Sequence, residues 1–468
     1  MASNINEREA FDLPSWRFRI ANLGCVESGE LEVKPLTLLC GPNNTGKTWV
    51  MYALYGFLKY SIPPNPPIFP GLEFIFEGLK HKKVISWDLE AWVRKYADEL
   101  IELINANTRQ RFSGIFHSGD EFFYGSRFDW GVNAEAFVKY AVRTRLDFEH
   151  SGVVLFKPSN NGVAKLAIDG DRAIDFLIYP TLSAALLGFL SGVVSGGNRF
   201  LIPTERNGLN LFFRELVGLR TALLHPSSRG SGSFLKYIEN LSNYPEPIAD
   251  YINWLSWAGL WEIDAENRGG KIFEVAERVK MVAGGRYAKD GEGNVCFMPS
   301  LTDSAPKLAL HLASSTVNSL FPLWFYLEHQ AKPGDVLMID EPELNLHPAN
   351  QRAVARLLAR LVNAGIRVVC STHSDYIVRE INSLIMLARP HPQRAALMQR
   401  FGYEEEEILR PEQVGAYVFE NGHIAAMPIT EDEGISAQTF DQQIHELNET
   451  SDEIYYTYRD NGGEAAGG

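Results

Sequence analysis

Three short apolar runs stand out along the chain: Leu36–Cys40, Val336–Ile339 and Ile366–Cys370. Such runs, nearly free of polar alternation, predict strands buried on both faces of a parallel sheet. Helical spacing of apolar positions predicts helices over Trp49–Lys59, Asp88–Asn107, Leu209–Leu224 and Ile248–Leu260. None of the last three keeps a heptad over several repeats, so no long coiled-coil arm is expected, and a compact helical insertion separates the apolar runs instead. Val153–Ile168 predicts a hairpin. So does Val414–Met427, where Asn421-Gly422 divides two strand-like runs. Gln438–Tyr458 predicts an amphipathic helix with Phe440, Ile444, Leu447, Ile454 and Tyr458 on one stripe. Pro63–Pro67 reads as a stiff linker, His225–Ser233 as a loop, and the glycine-rich end 462–468 as disordered. Buried strands interleaved with helices set the fold class as α/β.

The one long uncharged stretch, Phe176–Gly197, holds Pro180, three serines and four glycines, and reads as a buried helix rather than a membrane span. A chain of 468 residues allows two to four structural units. With 45% hydrophobic and 22% charged residues, disorder over most of its length is excluded. Cys25, Cys40, Cys296 and Cys370 form no CxxC pair, so neither a disulfide framework nor a cysteine zinc site is expected. A reducing cytoplasm fits, and the start Met1-Ala-Ser-Asn lacks the features of a signal peptide.

Charge changes this picture only when it is divided. The net charge is −14, and residues 401–468 account for all of it with 16 acidic groups against Arg410 and Arg459. Residues 1–400 carry 42 charges of each sign, so a broad basic surface for nucleic acid is not implied, although local patches stay open. The run Glu404–Glu407 reads either as a solvated face or as a docking surface for a basic partner.

Candidate chemistry follows the apolar runs. Gly41-Pro42-Asn43-Asn44-Thr45-Gly46-Lys47-Thr48 is GxxxxGK[ST] placed between a strand and a helix. In that setting backbone N–H groups of 43–48 curl around phosphate oxygens and the helix N-terminus adds its dipole. Lys47 then reaches the β- and γ-phosphates and Thr48 ligates Mg²⁺. Val336–Ile339 ends in Asp340-Glu341-Pro342, so a buried strand delivers two carboxylates at its C-terminal edge. Asp340 is placed to hold Mg²⁺ through water, and Glu341 to act as general base for the attacking water. Ile366–Cys370 ends in Ser371-Thr372-His373-Ser374. His373 is either a satisfied core residue or a sensor of the γ-phosphate. Leu201–Gly208 reads as a strand end whose Arg206 contacts phosphate or substrate, or pairs with a surface acid such as Glu205.

Asp340-Glu341-Pro342-Glu343 with Leu346-His347-Pro348, then Ser371–Ser374, resembles the ABC-type ATPases related to SMC, RecF, Rad50 and the OLD proteins. Phe18–Gly24 and Leu36-Thr-Leu are similar to their opening strands. The resemblance implies an ABC-type P-loop head split as 1–60 and 284–390; the residues between and after it read as a mainly helical insertion with some strands at 61–283 and an acidic α+β C-terminal segment with a hairpin and a helix at 391–468. It further implies ATP with Mg²⁺ and hydrolysis between two heads, hence a homodimer or higher homo-oligomer. Asn345 and His347 correspond to the loop that communicates across that interface, or form a plain helix N-terminal turn. His311–Leu320 matches the signature segment, with Ser314 and Ser315 facing a partner's γ-phosphate. Relatives usually carry glycine where Thr316 stands, which points to slow turnover, and a serine N-cap explains the same residues without a ligand. No counterpart of the glutamine loop is evident.

OLD-type nucleases place a TOPRIM domain behind such a head, but Glu431-Asp432-Glu433 lacks that domain's Asp-x-Asp pattern. The chain therefore resembles the ATPase subunits of bacterial two-component phage-defence systems such as PARIS, Septu and retron-associated sets. These work with a separate effector, here expected to be a TOPRIM-type nuclease, and a phage-encoded trigger is in keeping with them. A RecF- or Rad50-like DNA-repair ATPase and a non-hydrolysing ATP-dependent scaffold are the alternatives. A transporter subunit fits poorly, because the Ser314–Thr316 segment departs from the transporter signature.

Overall fold

The computed structural model describes residues 16–60, 69–73, 75, 78, 83–150, 153–168, 175–195, 197–212, 244–258, 270–289, 294–299, 306–436 and 449–458. The proline linker at 63–67, the loop at 225–233, and the ends of the helices expected at 209–224 and 438–458 lie outside the described residues.

One nine-stranded sheet organises the molecule. In chain order its strands are β1 (Trp16–Leu23), β2 (Val26–Val33), β3 (Leu36–Cys40), β4 (Arg127–Trp130), β5 (Arg199–Ile202), β6 (Val336–Asp340), β7 (Arg367–Thr372), β8 (Val414–Glu420) and β9 (His423–Ala426). They lie side by side as β4-β1-β2-β9-β8-β3-β7-β6-β5. The five from β8 to β5 are all parallel, so their C-terminal ends share one edge. All three apolar runs of the sequence fall in this parallel half, and β3, β6 and β7 are buried at every residue. β1, β2 and β4 form an antiparallel wing with the alternating burial of a one-sided sheet.

The helix Lys47–Tyr60 runs from the end of β3 and buries Val50, Met51, Leu54 and Phe57. Phe57 meets Phe18 edge-on at 4.8 Å, and Phe18 stacks on Phe128 at 4.4 Å, which ties wing to helix. Burying side chains of this size contributes about 1.5–3 kcal/mol each. The helices Ser315–His329, Pro348–Asn363 and Asp375–Met386 add to the same core.

The stretch between the two halves of the parallel sheet is not purely helical. Beside the helices Leu89–Gln110, capped by Asp88, and Glu246–Ala258 it holds an antiparallel four-stranded sheet. That sheet contains the expected hairpin as Val153–Lys157 paired with Val163–Ile168. Phe176–Gly197 is covered by the helix Asp175–Ser195, which buries Leu182, Leu186, Phe189 and Leu190. Among the described residues no helix is long and apolar enough to cross a membrane.

The hairpin near Asn421-Gly422 forms as β8 and β9, but it is not peripheral. It sits in the middle of the main sheet, β8 parallel to β3 and β9 parallel to β2. The Tyr417 hydroxyl donates to Glu32 O at 3.0 Å and accepts from Glu32 N at 2.8 Å, stitching the hairpin to the wing. The segment after 391 is therefore partly head, not an appended unit.

Candidate functional site

The shared C-terminal edge of the parallel strands collects the candidate residues. The turn after β3 needs both of its glycines. Gly41 has φ +132°, and a Cβ there would lie 2.4 Å from Phe419 O, a backbone atom that cannot step aside. Gly46 has φ +99°, and a Cβ there would lie 2.5 Å from a Val26 methyl. Asn43 and Asn44 are exposed, and Asn44 adopts φ +62°, a conformation asparagine tolerates. Thr45 Oγ1 donates to Pro42 O at 2.9 Å. Inside the turn Lys47 is buried, with Nζ donating to Gly41 O at 3.0 Å and Pro42 O at 2.6 Å. Burial lowers its ammonium below the usual lysine range, against the pull of Asp340 and Glu341. Gly41→Ala should open this turn and weaken nucleotide binding about 5- to 150-fold, as a steric cost of about 1–3 kcal/mol implies. Wild-type affinity in a fluorescent-nucleotide titration would contradict the reading.

Beside the turn, Thr48 Oγ1 donates to Asp340 Oδ2 at 3.1 Å, and Ser371 Oγ donates to Asp340 Oδ1. Ser371 also accepts from Glu341 N at 3.1 Å, so neighbouring strands hold the acidic pair in place. Glu341 has φ +50°, a sparsely populated conformation for this residue type. Burial, then the Asp340 charge, hold its carboxyl above the usual carboxylate range. His373 Nε2 stands 3.8 Å from Glu341 Oε1, and burial, followed by Lys47, holds the imidazole below its usual range.

Sequence reasoning gave no role to Glu343. Its Oε1 accepts from Thr372 Oγ1 at 2.9 Å and from His373 N at 2.6 Å, and burial keeps its carboxyl above the usual range. Glu343 thus fixes the backbone that carries His373.

Arg206 departs from both expectations for it, a phosphate contact and a surface ion pair. It is 1% exposed, and burial lowers its guanidinium from the usual range. Nη1 donates to Asp340 O at 2.8 Å and Pro203 O at 3.1 Å, Nη2 to Glu341 O at 2.7 Å, and Nε to Ser319 Oγ at 3.0 Å. The arginine clamps the carbonyls of the acidic pair and reaches the helix Ser315–His329.

Ser314 and Ser315 are exposed. Ser314 caps that helix, its Oγ accepting from Val317 N at 3.3 Å. Thr316 Oγ1 donates to Asn345 O at 3.2 Å, and Ser319 Oγ donates to Leu344 O at 2.9 Å, which fastens the helix to the loop after Glu343. Asn345 is exposed with φ +61°, and His347 caps the next helix through Nδ1.

Lys47, Thr48, Asp340, Glu341 and His373 are thus brought together, while Ser314 and Ser315 are expected to face a second copy. The sequence profile of the AAA ATPase domain matches residues 17–122 and 239–378, more than half of the chain and the segments that build this cluster. The chain belongs to the AAA ATPase domain family. Among solved structures this ATPase is similar to the SMC head domain from Thermotoga maritima, at 10% identity and TM-score 0.31, over 89% of this chain and 100% of that one. It is also similar to the Smc head domain with an extended coiled coil bound to the C-terminal domain of ScpA from Pyrococcus furiosus, at 13% identity and TM-score 0.33, over 94% and 99% of the two chains. No curated protein sequence matches it significantly.

Proposed function

We propose that this ATPase binds ATP with Mg²⁺ and hydrolyses it slowly in a site shared by two copies of the chain. In this reading the nucleotide state sets the arrangement of a separate effector, a TOPRIM-type nuclease, in bacterial defence against phage, with a phage-encoded trigger. The observation that carries it is the meeting of Lys47, Thr48, Asp340, Glu341 and His373 at one sheet edge. Thr48 and Asp340 offer hard oxygen donors 3.1 Å apart, a pair that fits Mg²⁺ with Thr48 bound directly and Asp340 through water. When bound, that ion offsets charge on the β- and γ-phosphate oxygens.

This chain's residues would then act as follows. Lys47 exchanges the Gly41 and Pro42 carbonyls for phosphate oxygens. Glu341 orients the attacking water and takes its proton. His373, kept neutral, donates to the γ-phosphate. The backbone N–H groups of 43–48 and the exposed Ser314 and Ser315 of the second copy enclose the remaining oxygens. Thr316, tied to Asn345, limits how closely that second copy approaches, in keeping with slow turnover.

Lys47→Ala tests the assignment. Loss of a charge-assisted contact of about 1.5–3 kcal/mol should weaken ATP about 10- to 150-fold. Calorimetric titration showing unchanged affinity would remove the turn 41–48 from the site.

A further inference from the structure

Among the described residues two exposed apolar surfaces can be matched to each other. The first is a groove of about 590 Å³ between the helices Asp375–Met386 and Arg394–Phe401. Met386, Leu387, Leu397, Phe401 and Tyr403 line it, and Met386, Leu397 and Phe401 are 41%, 37% and 53% exposed. Its rim carries Arg352, Arg389 and Arg394, each ion-paired, Arg352 to the buried Glu380. The ion-pair partners of the last two, Asp432 and Glu405, are themselves exposed, so these pairs exchange at little cost.

The second surface is the 449–458 helix, exposed at every residue. Ile454, Tyr455 and Tyr458 form one stripe on it, at 56%, 56% and 80% exposure. The sequence ahead of it continues the same three- and four-residue spacing through Phe440, Ile444 and Leu447. Residues 438–458 contain five acidic residues and no lysine or arginine. An acidic apolar stripe and an arginine-rimmed apolar groove are complementary in both respects.

We propose that the acidic C-terminal helix of a second copy of this chain docks in the groove. The root of the segment explains why exchange between copies closes on itself. Gly434–Ile435 leads into Ser436, and Ile435 is held by Asn382, whose Nδ2 donates to Ile435 O at 3.1 Å and whose Oδ1 accepts from Ile435 N at 2.8 Å. Asn382 lies on the groove's own first helix. The tail therefore leaves the body beside the groove, and its own chain leaves the described helix 449–458 exposed at every residue, so two copies facing each other can exchange tails reciprocally about a twofold axis. This contact is separate from an ATP-dependent interface and needs no nucleotide.

Full-length variants with substitutions on exposed side chains test it. Leu397→Glu with Phe401→Glu disables the groove, and Ile454→Asp with Tyr458→Asp disables the tail. Light scattering on nucleotide-stripped protein at about 10 μM should show a dimer for wild type and a monomer for each variant. An equal mixture of the two should form a heterodimer, because one supplies a groove and the other a tail. A labelled peptide of residues 438–458 should bind the tail variant, at least tenfold more weakly the groove variant, and more weakly in both at high salt. Arg389→Glu with Arg394→Glu repeats the groove test if the first pair lowers the melting temperature. A monomeric wild type, a dimer that survives both variants, a mixture that stays monomeric, or crosslinks joining tail and groove within one chain would each overturn the proposal.

Discussion

Glu341→Gln is expected to slow ATP hydrolysis about 10²–10⁴-fold while leaving ATP affinity within about threefold of wild type. Both ends of the residue's backbone are pinned, with its N–H on Ser371 Oγ and its carbonyl on Arg206, so the exchange alters only the side chain. Glutamine keeps the size of glutamate but cannot accept the water's proton. It also removes a charge beside Asp340, whose repulsion helps to raise the Glu341 carboxyl. The variant should therefore hold ATP and accumulate as an associated species. Phosphate release under single-turnover conditions gives the rate, and mass photometry with and without ATP-Mg²⁺ gives the mass. Hydrolysis at the wild-type rate would exclude Glu341 as the base. Because tail exchange would already pair the wild type, the mass is read in the Ile454→Asp/Tyr458→Asp background, where lost hydrolysis with no change in mass would leave the base in place and remove the two-copy site.

The contrast between Lys47 and Arg206 shows what the sequence makes legible. Lys47 acts within a turn of eight residues whose glycines, lysine and threonine are all local, so spacing alone announces it. The strand ends at Asp340 and Thr372 are equally plain, because uninterrupted apolar runs mark the parallel strands. Arg206 bonds to Ser319, Asp340 and Glu341, 113 to 135 positions away, and no local pattern encodes such contacts. Glu343 is similar. It stands inside a recognisable motif, yet its work is done on Thr372 and His373, about thirty positions on. The hairpin Val414–Met427 was evident from Asn421-Gly422, while its seat between β2 and β3 was not, since strand neighbours are set by tertiary packing. Ser314 marks another boundary. A serine opening a helix has the same signature whether its hydroxyl caps Val317 N or meets a ligand.

Arg206→Ala is expected to produce the largest loss of stability of any single change at the site, about 2–6 kcal/mol from two stranded carbonyls. Asp340 O and Glu341 O would lose the side-chain donor, Ser319 Oγ would keep only its own bond to Leu344 O, and Pro203 O would keep the Arg206 N–H. A buried unsatisfied acceptor costs about 1–3 kcal/mol. The apparent melting temperature should fall by several degrees, read by scanning calorimetry as an operational midpoint because a chain of this size need not unfold in one step. Arg206→Lys separates clamping from charge. A single ammonium cannot reproduce the planar fork that spans two strand ends and a helix. The lysine variant should therefore recover part of the stability yet hydrolyse ATP at least about tenfold more slowly than wild type, with ATP affinity little changed. That split follows because Lys47 and the turn 41–48, proposed to bind phosphate, share no hydrogen bond with Arg206, whereas the backbone presenting Glu341 does. A lysine variant with wild-type turnover would mean that the carbonyls of Asp340 and Glu341 hold their places without the fork, and the presentation of Glu341 would then rest on Ser371 alone.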